Sequence, residues 1–427
     1  MGEGRGHHRL EGFARRVYPG VTRAQNRLRG RKFSELQFLV VLRSGLIRLL
    51  FITLLFVMAA LLFAHPALLV SSVTRKIQEG TLPSNVGLRA AAKALGAEDI
   101  YAADRPNELS PVVKDFPSRV YVPNSDSASV DVIDPATYTV VDHFKVGLLP
   151  QHIVPSYDLK TLWVLDDQGY ALTKIDPATA KVEKTVSVDD PYNLYFTPDG
   201  SDAIVVAEAL HRLDFRDPQT MKLKFSLEVP CTGVNHLDFS ADGSYFIASC
   251  EFDGKLLKVE TVSRKILATI ELGPHDMPQD VRTSPDARTF YVADMAADGV
   301  HVIDPERFAQ IGFVKTGKGT HGILVSRDSK LLYISNRGEG SISVMELTSG
   351  KIIAKWRIPH GGSPDMGGIS ADGNVLWISG RYNAEVYAFD TTSGKLLARI
   401  PVGKGPHGLC VYPQPGRYSL GHTGLFR

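Results

Sequence analysis

Short segments in which apolar and polar residues alternate fill the chain from Arg119 onward. Val130-Asp-Val-Ile-Asp134 is one example, and others such as Thr161-Leu-Trp-Val-Leu165 are rich in β-branched and aromatic residues. A period of two places successive side chains on opposite faces of a strand, so these segments are predicted to be β-strands. Ser/Thr-x-Asp triplets stand between them and favour tight turns.

The triplets recur at a nearly constant interval, and this is the strongest pattern in the sequence. Their first residues are Ser156, Thr197, Ser240, Ser284, Ser326 and Ser370, at intervals of 41, 43, 44, 42 and 44 residues. Each interval contains four predicted strands. Four strands in about 42 residues are typical of one blade of a β-propeller.

The number of blades follows from the incomplete repeats at the two ends. The first repeat begins at its second strand, near Arg119, whereas a lone first strand, His407–Tyr412, follows the last complete repeat. These two parts complete one blade, which joins six internal ones. The predicted fold is therefore an all-β, seven-bladed β-propeller of four-stranded blades, closed by a C-terminal strand that removes the open sheet edges.

An uncharged apolar run, Leu49 to Val70, precedes the repeats. Its 22 residues are enough to span a bilayer as a helix, which needs about 20. Residues 1–48 contain eleven Arg and Lys against three Glu, which places the N-terminal side in the cytoplasm by the positive-inside rule. The run is longer than the ~7–15 apolar residues of a cleaved signal peptide and no A-x-A site follows it, so an uncleaved signal anchor is favoured.

The predicted organisation has five parts. They are a basic cytoplasmic tail (1–45), a transmembrane signal anchor (46–70), a connector (71–118), an extracytoplasmic seven-bladed propeller (119–412) and a C-terminal tail (413–427) that lies outside the repeat. No chemistry is assigned to the C-terminal tail.

Several segments resemble the repeat of the YVTN family of β-propeller proteins. They are Val120-Tyr-Val-Pro-Asn124, Val130–Asp134, Phe290-Tyr-Val-Ala-Asp294 and Val402-Gly-Lys-Gly-Pro-His-Gly408. The resemblance covers residues 119–412 and implies the propeller fold. It leaves the function open, because this repeat occurs in surface-layer proteins, periplasmic binding propellers, lactonase-like proteins and, more distantly, haem d1 domains.

A site is expected where the first strands of the blades begin, because side chains from every blade converge there around the channel. The residues five places before each aligned Ser/Thr, together with their successors, predict a polar funnel that bears several histidines. Its candidate ligand-binding residues are Gln151, His152, Tyr192, Asn235, His236, Gln279, Asp280, His321, Asp365 and His407. Since neighbouring residues of a strand face opposite ways, only one residue of each adjacent pair is expected to face the channel.

Three of these residues form a candidate metal site. His321, Asp365 and His407 occupy equivalent positions in consecutive blades, and two histidines with one carboxylate suit a divalent metal. The alternative is that each histidine starts an inner strand and bonds to a neighbouring blade. Cys231 and Cys250 flank two strands of one blade and can pair in an oxidising compartment, which leaves Cys410 single.

Motifs and charge exclude several classes of function. The chain has no C-x-x-C-H, H-E-x-x-H, G-x-S-x-G or P-loop motif. Residues 49–427 contain 37 basic against 43 acidic residues, so nucleic acid is not an expected partner of the propeller.

Three functions remain open at this stage. The first is a membrane-tethered propeller that binds or scaffolds a protein, glycan or small ligand. The second is a cofactor-bearing redox protein of the haem d1 or quinoprotein type, and the third is a lactonase-like metal-dependent hydrolase. No cofactor is required by the first, which we favour.

Overall fold

The computed structural model describes residues 99–427, which form an all-β propeller. Its strands make seven antiparallel sheets, and the first strands of successive sheets are neighbours around a central channel. The prediction of seven four-stranded blades is confirmed. The predicted tail, anchor and most of the connector lie outside the described residues; within 99–427, no helix is long and apolar enough to cross a membrane.

Each blade is a meander of consecutive strands. Blade 1 contains β1 (Arg119–Asn124), β2 (Ser129–Asp134) and β3 (Thr139–Lys145). Blade 2 contains β4 (Pro150–Pro155), β5 (Leu162–Asp166), β6 (Ala171–Asp176) and β7 (Lys181–Ser187). Blade 3 contains β8 (Asn193–Phe196), β9 (Ala203–Ala207), β10 (Arg212–Arg216) and β11 (Leu223–Glu228). Blade 4 contains β12 (Val234–Phe239), β13 (Tyr245–Cys250), β14 (Lys255–Glu260) and β15 (Ile266–Glu271).

The remaining blades repeat this order. Blade 5 contains β16 (Pro278–Thr283), β17 (Phe290–Asp294), β18 (Gly299–Asp304) and β19 (Ala309–Lys315). Blade 6 contains β20 (Thr320–Val325), β21 (Leu331–Asn336), β22 (Ser341–Glu346) and β23 (Lys351–Arg357). Blade 7 contains β24 (Pro364–Ile369), β25 (Val375–Gly380), β26 (Glu385–Asp390) and β27 (Leu396–Pro401). Then follow β28 (Cys410–Tyr412), β29 (Ser419–Gly421) and β30 (Leu425–Phe426); short 3-10 turns lie at Ala102–Asp104, Ser125–Ser127 and Glu251–Asp253.

Strand β28 closes the ring as the first strand of blade 1. It pairs antiparallel with β1, with Arg119 opposite Tyr412 and Tyr121 opposite Cys410. The order of this sheet is β28-β1-β2-β3, so strands from both ends of the repeat region share one blade. Every blade thereby has its first strand next to the channel and its fourth at the outside.

The Ser/Thr-x-Asp triplets form the turn between the first and second strands. In blade 2, the Ser156 hydroxyl donates to Asp158 Oδ1 at 2.7 Å, and the Thr161 N–H donates to Ser156 Oγ at 3.1 Å. The same hydroxyl-to-carboxylate bond recurs in blades 3 to 7. The repeated motif is therefore the side-chain closure of this turn, and we call the end of the propeller on which these turns lie the turn end.

Apolar side chains fill the spaces between adjacent blades. One cluster joins Tyr291 and Ala293 of blade 5 to Ile323 and Ile334 of blade 6. Burial of each large aliphatic side chain contributes about 1.5–3 kcal/mol. Because these contacts connect neighbouring blades, they fix the position of each first strand at the channel.

The C-terminal tail, which the sequence analysis left outside the repeat, lies in the channel. Strands β29 and β30 form a hairpin, Ser419–Phe426, which we call the C-terminal hairpin. Gly421 pairs with Tyr195 on β8, so blade 3 becomes a six-stranded sheet. The hairpin enters from the turn end, where the Ser419 N–H donates to the carbonyl of Tyr157 at 3.2 Å.

The described part of the connector, residues 99–118, covers the turn end. The Ile100 N–H donates to the Pro285 carbonyl at 2.9 Å, and the Asn107 N–H donates to the Ala371 carbonyl at 2.8 Å. Leu109 forms a parallel bridge with Gly416. The connector and the C-terminal tail thus close the channel together at this end.

Candidate functional site

A β-bulge at the start of the first strands determines how the funnel residues point. The pairing of first and second strands shifts at this place in blades 2, 4, 5, 6 and 7. A bulge breaks the strict alternation of side chains. In blade 4, Asn235 donates to Glu251 Oε2 at 3.1 Å, while the next residue, His236, packs against His422 in the channel. Both residues of this pair thus make polar or aromatic contacts around the channel, contrary to the expectation that one faces away.

The ten candidate ligand-binding residues are all buried around the funnel. Their side chains are 7% exposed or less, and they are Gln151, His152, Tyr192, Asn235, His236, Gln279, Asp280, His321, Asp365 and His407. They divide into an outer group at the strand starts and an inner group one residue further along the strands. His152, His236 and Asp280 form the inner group and meet the C-terminal hairpin.

The predicted set His321, Asp365 and His407 comes together, but a cation of the protein already occupies it. His321 Nδ1 lies 2.9 Å from Asp365 Oδ1, and His407 Nε2 lies 3.8 Å from Oδ2. The Arg337 guanidinium donates to Asp365 Oδ1 from Nη2 at 2.5 Å and from Nε at 3.0 Å. A buried guanidinium on this carboxylate disfavours a second cation there, because like charges repel strongly in a water-poor site.

Five imidazole rings form a continuous cluster across the channel. Ring centroids are 4.7 Å apart for His152 and His407, 5.9 Å for His407 and His321, and 6.5 Å for His321 and His236. His422, at the tip of the C-terminal hairpin, completes the cluster at 5.0 Å from His236 and 5.4 Å from His152. The cluster joins blades 1, 2, 4 and 6 to the hairpin.

Burial keeps these rings uncharged. It lowers the pKa of His152 to about 3 and that of His321 to about 4, chiefly because the charged ring loses its hydration. The same cause holds the pKa values of His236, His407 and His422 well below the usual range. Around neutral pH the cluster is a set of neutral imidazoles, the form that ligates metals and exchanges hydrogen bonds.

A ring of seven residues surrounds the funnel, one from each blade, directly after the second strand. We call this ring the rim. Its members in blade order are Ser125, Asp167, Glu208, Glu251, Met295, Arg337 and Arg381. Acids thus occupy blades 2 to 4 and arginines occupy blades 6 and 7. The rim is divided into an acidic arc and a basic arc on opposite sides of the channel.

Hydrogen bonds hold the acidic arc in place. The carboxyls of Asp167 and Asp190 are hydrogen bonded to each other, and burial followed by the Asp190 charge raises the Asp167 pKa well above its usual range. Glu251 accepts hydrogen bonds from Gln279 and Asn235, and burial is the main cause that raises its pKa. The arc therefore concentrates carboxyl groups whose ionised form is disfavoured by burial.

The basic arc retains hydrogen-bonding capacity that no carboxylate uses. Arg337 Nη1 contacts only the Met295 sulfur at 3.8 Å and the Tyr382 hydroxyl at 3.4 Å. Arg381 Nη1 donates to Ser125 Oγ at 2.9 Å and to the Gly405 carbonyl at 3.1 Å. Among residues 99–427 no carboxylate lies within ion-pair distance of Arg381, so its positive charge is uncompensated by contact.

Tyr192 lies within electrostatic reach of both arcs. Burial is the main reason that its pKa is well above the usual range; Glu208 and Glu251 raise it further, while Arg337 and Arg381 lower it. A side chain at the funnel floor thus responds to four rim charges at once.

The rim and His422 were not predicted from the sequence. Each rim residue from blade 2 onward follows the aligned Ser/Thr by eleven places, as from Ser156 to Asp167 and from Ser326 to Arg337. Alignment of the repeats therefore contains the rim as one position at a constant offset from the Ser/Thr. His422 has no equivalent position, because it lies beyond the repeat.

The two cysteines of blade 4 form a disulfide in the structure. The Cys231 and Cys250 sulfur atoms are 2.08 Å apart, and the bond connects the segment before β12 to the end of β13. Cys410 is a buried free thiol in the closing strand. The disulfide lies beside Glu251, so it anchors the backbone of the acidic arc.

Solved structures with a similar fold come from functionally different proteins. A functionally unknown protein from Desulfotomaculum acetoxidans has a TM-score of 0.59 at 16% identity, over 69% of this chain and 98% of that one. The dihydro-haem d1 dehydrogenase NirN has a TM-score of 0.54 at 16% identity, over 71% and 76%. Kuenenia stuttgartiensis hydrazine synthase has a TM-score of 0.52 at 19% identity, over 60% and 87%. At these identities the likeness concerns the fold alone.

Comparison by sequence gives a family. No curated protein matches the chain significantly. A family model for YNCE-like beta-propellers matches residues 102–416, which include the covering segment at the turn end, all seven blades and part of the C-terminal tail. The chain therefore belongs to the YNCE-like β-propeller family.

Proposed function

We propose that the protein is a membrane-tethered, extracytoplasmic binding propeller whose funnel takes a small dipolar ligand. The observation that carries the proposal is the separation of charge on the rim. A molecule with a cationic amine and a carboxylate, such as an amino acid or a short peptide, matches both arcs when it lies across the funnel.

The basic arc would hold the carboxylate. Arg337 and Arg381 stand in adjacent blades of the rim and have donors that no carboxylate uses, and guanidinium groups bind carboxylates through strong, charge-assisted hydrogen bonds. Tyr382, 64% exposed, lies over Arg337 with its ring centroid 5.8 Å from the guanidinium carbon. Its side chain is the one that a ligand would displace on entry.

The acidic arc would hold the amine. Glu251 is half-buried, and Asp167, which pairs with Asp190, belongs to the same arc two blades away. A cationic amine beside these carboxyls would favour their ionised form, which burial disfavours. The two arcs also disfavour ligands that carry only one sign of charge. A purely cationic ligand is repelled by the basic arc, and a purely anionic ligand is repelled by the acidic arc.

The location proposed for this site rests on two features. The uncharged run Leu49–Val70 with basic residues before it favours a span with its N-terminus in the cytoplasm. The Cys231–Cys250 disulfide is typical of an oxidising compartment. Protease added to intact cells is expected to digest the propeller and spare residues 1–45; protection of the propeller would overturn this topology.

Ligand binding is tested with the full chain purified in detergent. Thermal unfolding is measured with amino acids and dipeptides, with alkylamines, and with monocarboxylates. We expect the dipolar compounds alone to raise the unfolding temperature. Arg381→Gln and Glu251→Gln should each weaken binding at least tenfold in calorimetry, whereas Arg399→Gln on the outer strand of blade 7 should not. The proposal of a dipolar ligand would be refuted if all three classes of compound raised the unfolding temperature equally, or if no compound raised it.

The hydrolase alternative, with a metal at His321, Asp365 and His407, is disfavoured because Arg337 already bonds to the Asp365 carboxylate. A redox cofactor in the funnel is the other alternative. Visible absorbance of the purified chain that disappears in the double variant His321→Ala/His407→Ala would favour it over simple ligand binding.

A further inference from the structure

Three groups of ligating side chains among residues 99–427 come within metal-binding distance. They are His321 with Asp365 and His407, Asp276 with Asp294 and His301, and His152 with His236 and His422. In the first group, Arg337 already donates two hydrogen bonds to the Asp365 carboxylate. In the second, Asp294 Oδ1 already accepts the N–H groups of Met277, Ala296 and Ala297. The third differs, because it contains only neutral imidazoles.

Two nitrogens of the third group have no partner. His152 Nε2 and His236 Nε2 are fully buried and make no hydrogen bond. An unpaired buried polar atom destabilises the folded state, so two of them in one group require a physical reason. A small species bound between the rings supplies such a reason.

His152 is held in the state that ligates. Its Nδ1 lies 2.9 Å from the carbonyl oxygen of Tyr192, which can only accept, so Nδ1 carries the proton. Nε2 then presents a lone pair. A histidine that donates one ring N–H to an oxygen and offers the other nitrogen to the ion is the usual arrangement in metal sites.

Asn193 connects the other two rings. Its side-chain amide lies 3.1 Å from His236 Nδ1 and 3.1 Å from His422 Nδ1. As oriented, the NH₂ group donates to both rings, and its oxygen accepts from the Leu194 N–H. A half-turn of the amide exchanges nitrogen for oxygen, so that the single oxygen accepts an N–H from each Nδ1 and the hydrogen bond from the Leu194 N–H is lost. This change frees both Nε2 atoms.

We propose that His152, His236 and His422 bind one divalent transition-metal ion, which holds the C-terminal hairpin in the channel. The three donor nitrogens lie within 4.8 Å of one another, and tetrahedral ligands at the ~2.0–2.1 Å of Zn–N bonds stand about 3.4 Å apart, so small side-chain movements complete the site. Neutral nitrogen ligands favour Zn²⁺, Ni²⁺, Co²⁺ or Cu²⁺ over Mg²⁺ and Ca²⁺.

The position of the site gives the ion a structural consequence. His152 belongs to β4, His236 to β12 and His422 follows β29, so one ion joins two blades to the hairpin. His407, 4.7 Å from His152 by ring centroid and with both nitrogens unpaired, is the nearest source of a fourth ligand. The site is independent of the dipolar ligand proposed for the rim.

Zinc is the probe for the test. The full chain is stripped with chelator, titrated with ZnCl₂ by calorimetry, and analysed for metal after removal of excess. We expect one equivalent per chain, a higher unfolding temperature, and slower proteolysis of residues 413–427. The His422→Gln variant should no longer bind this zinc ion. The control His360→Gln changes an exposed histidine and should still bind one zinc ion per chain. His321→Gln, which disrupts the other candidate set, should also still bind it.

Several results would overturn the proposal. One is that the wild-type chain binds no zinc ion tightly. The others are that His422→Gln still binds zinc, or that zinc binding is lost in His321→Gln alone. His7 and His8 are present in every variant, so zinc bound there cancels in the comparison. If His422→Gln does not fold, Co²⁺ in the wild-type chain decides: intense visible bands of a tetrahedral nitrogen site are expected, and weak octahedral bands contradict it.

Discussion

The guanidinium of Arg337 in blade 6 and the carboxylate of Asp365 in blade 7 share two hydrogen bonds, both of which end on Oδ1. Asp365 is fully buried and Arg337 is 8% exposed. The pair joins two blades at the funnel and combines with His321 and His407 to form its floor. Its strength is open to direct measurement.

Asp365→Ala should destabilise the protein by about 3–5 kcal/mol, because it leaves the Arg337 charge buried without a partner. Denaturant unfolding of the full chain measures the change. Glu385→Ala is the matched control: it breaks the Arg399–Glu385 pair (2.7 Å) at a more exposed position and should cost about 0–1 kcal/mol. Equal losses in the two variants would contradict the assignment of a buried, blade-joining pair.

Stability should fall as the pH decreases from about 6.5 to 4. The folded-state pKa values of His152 and His321, about 3 and about 4, are below the unfolded value of about 6.5, so the unfolded chain binds more protons in this window. The contribution of each ring is complete above the unfolded pKa and is lost on acidification, by up to roughly 3 kcal/mol for His321.

Buried carboxyls with raised pKa values, among them Asp167 and Glu251, offset part of this pH effect. Burial raises the pKa values of Asp104 and Asp166 to about 6, so they favour the folded state as the pH falls. Unfolding free energies at pH 7.5, 6.5, 5.5 and 4.5 give the net slope. His321→Gln should reduce the slope by up to one proton; an unchanged slope in this variant would show that the His321 ring is not buried in neutral form.

Gly421→Ala should expel the C-terminal hairpin from the channel. Gly421 has φ +100°, and a Cβ there would lie 2.3 Å from the Leu194 carbonyl oxygen. Limited proteolysis followed by mass spectrometry should show faster cleavage of residues 413–427 in the variant. The control is Gly350→Ala. Gly350 also has a positive φ (+65°), but a Cβ there would have nothing within 4 Å, so this variant should leave the cleavage of residues 413–427 unchanged.

Reduction of the Cys231–Cys250 bond should lower the unfolding free energy by about 3 kcal/mol. The two residues are 19 positions apart. Closing a loop of about that length lowers the entropy of the unfolded chain, and this stabilises the folded state by about 3 kcal/mol. Denaturation with and without reductant measures the difference. The double variant Cys231→Ser/Cys250→Ser should be insensitive to reductant; if it responds, the effect arises elsewhere.

Regular features were predictable from the sequence and irregular ones were not. The spacing of Ser156, Thr197 and their equivalents yields seven blades because each triplet closes the same turn. The neighbours Asn235 and His236 were expected to face opposite ways, since period-two alternation takes no account of a bulge. The pairing of Gly421 with Tyr195 depends on contacts between distant parts of the chain, and no local pattern marks it.

The closing blade sets an order of events during biosynthesis. Strand β1 is made early and β28 nearly 300 residues later, from Arg119 to Tyr412. Until Cys410–Tyr412 leaves the ribosome, β1 has an unpaired edge and the first strands of the other blades surround an unfilled channel. We expect a nascent chain in this interval to need protection from edge-to-edge association, by a chaperone or by rapid passage through the translocation machinery.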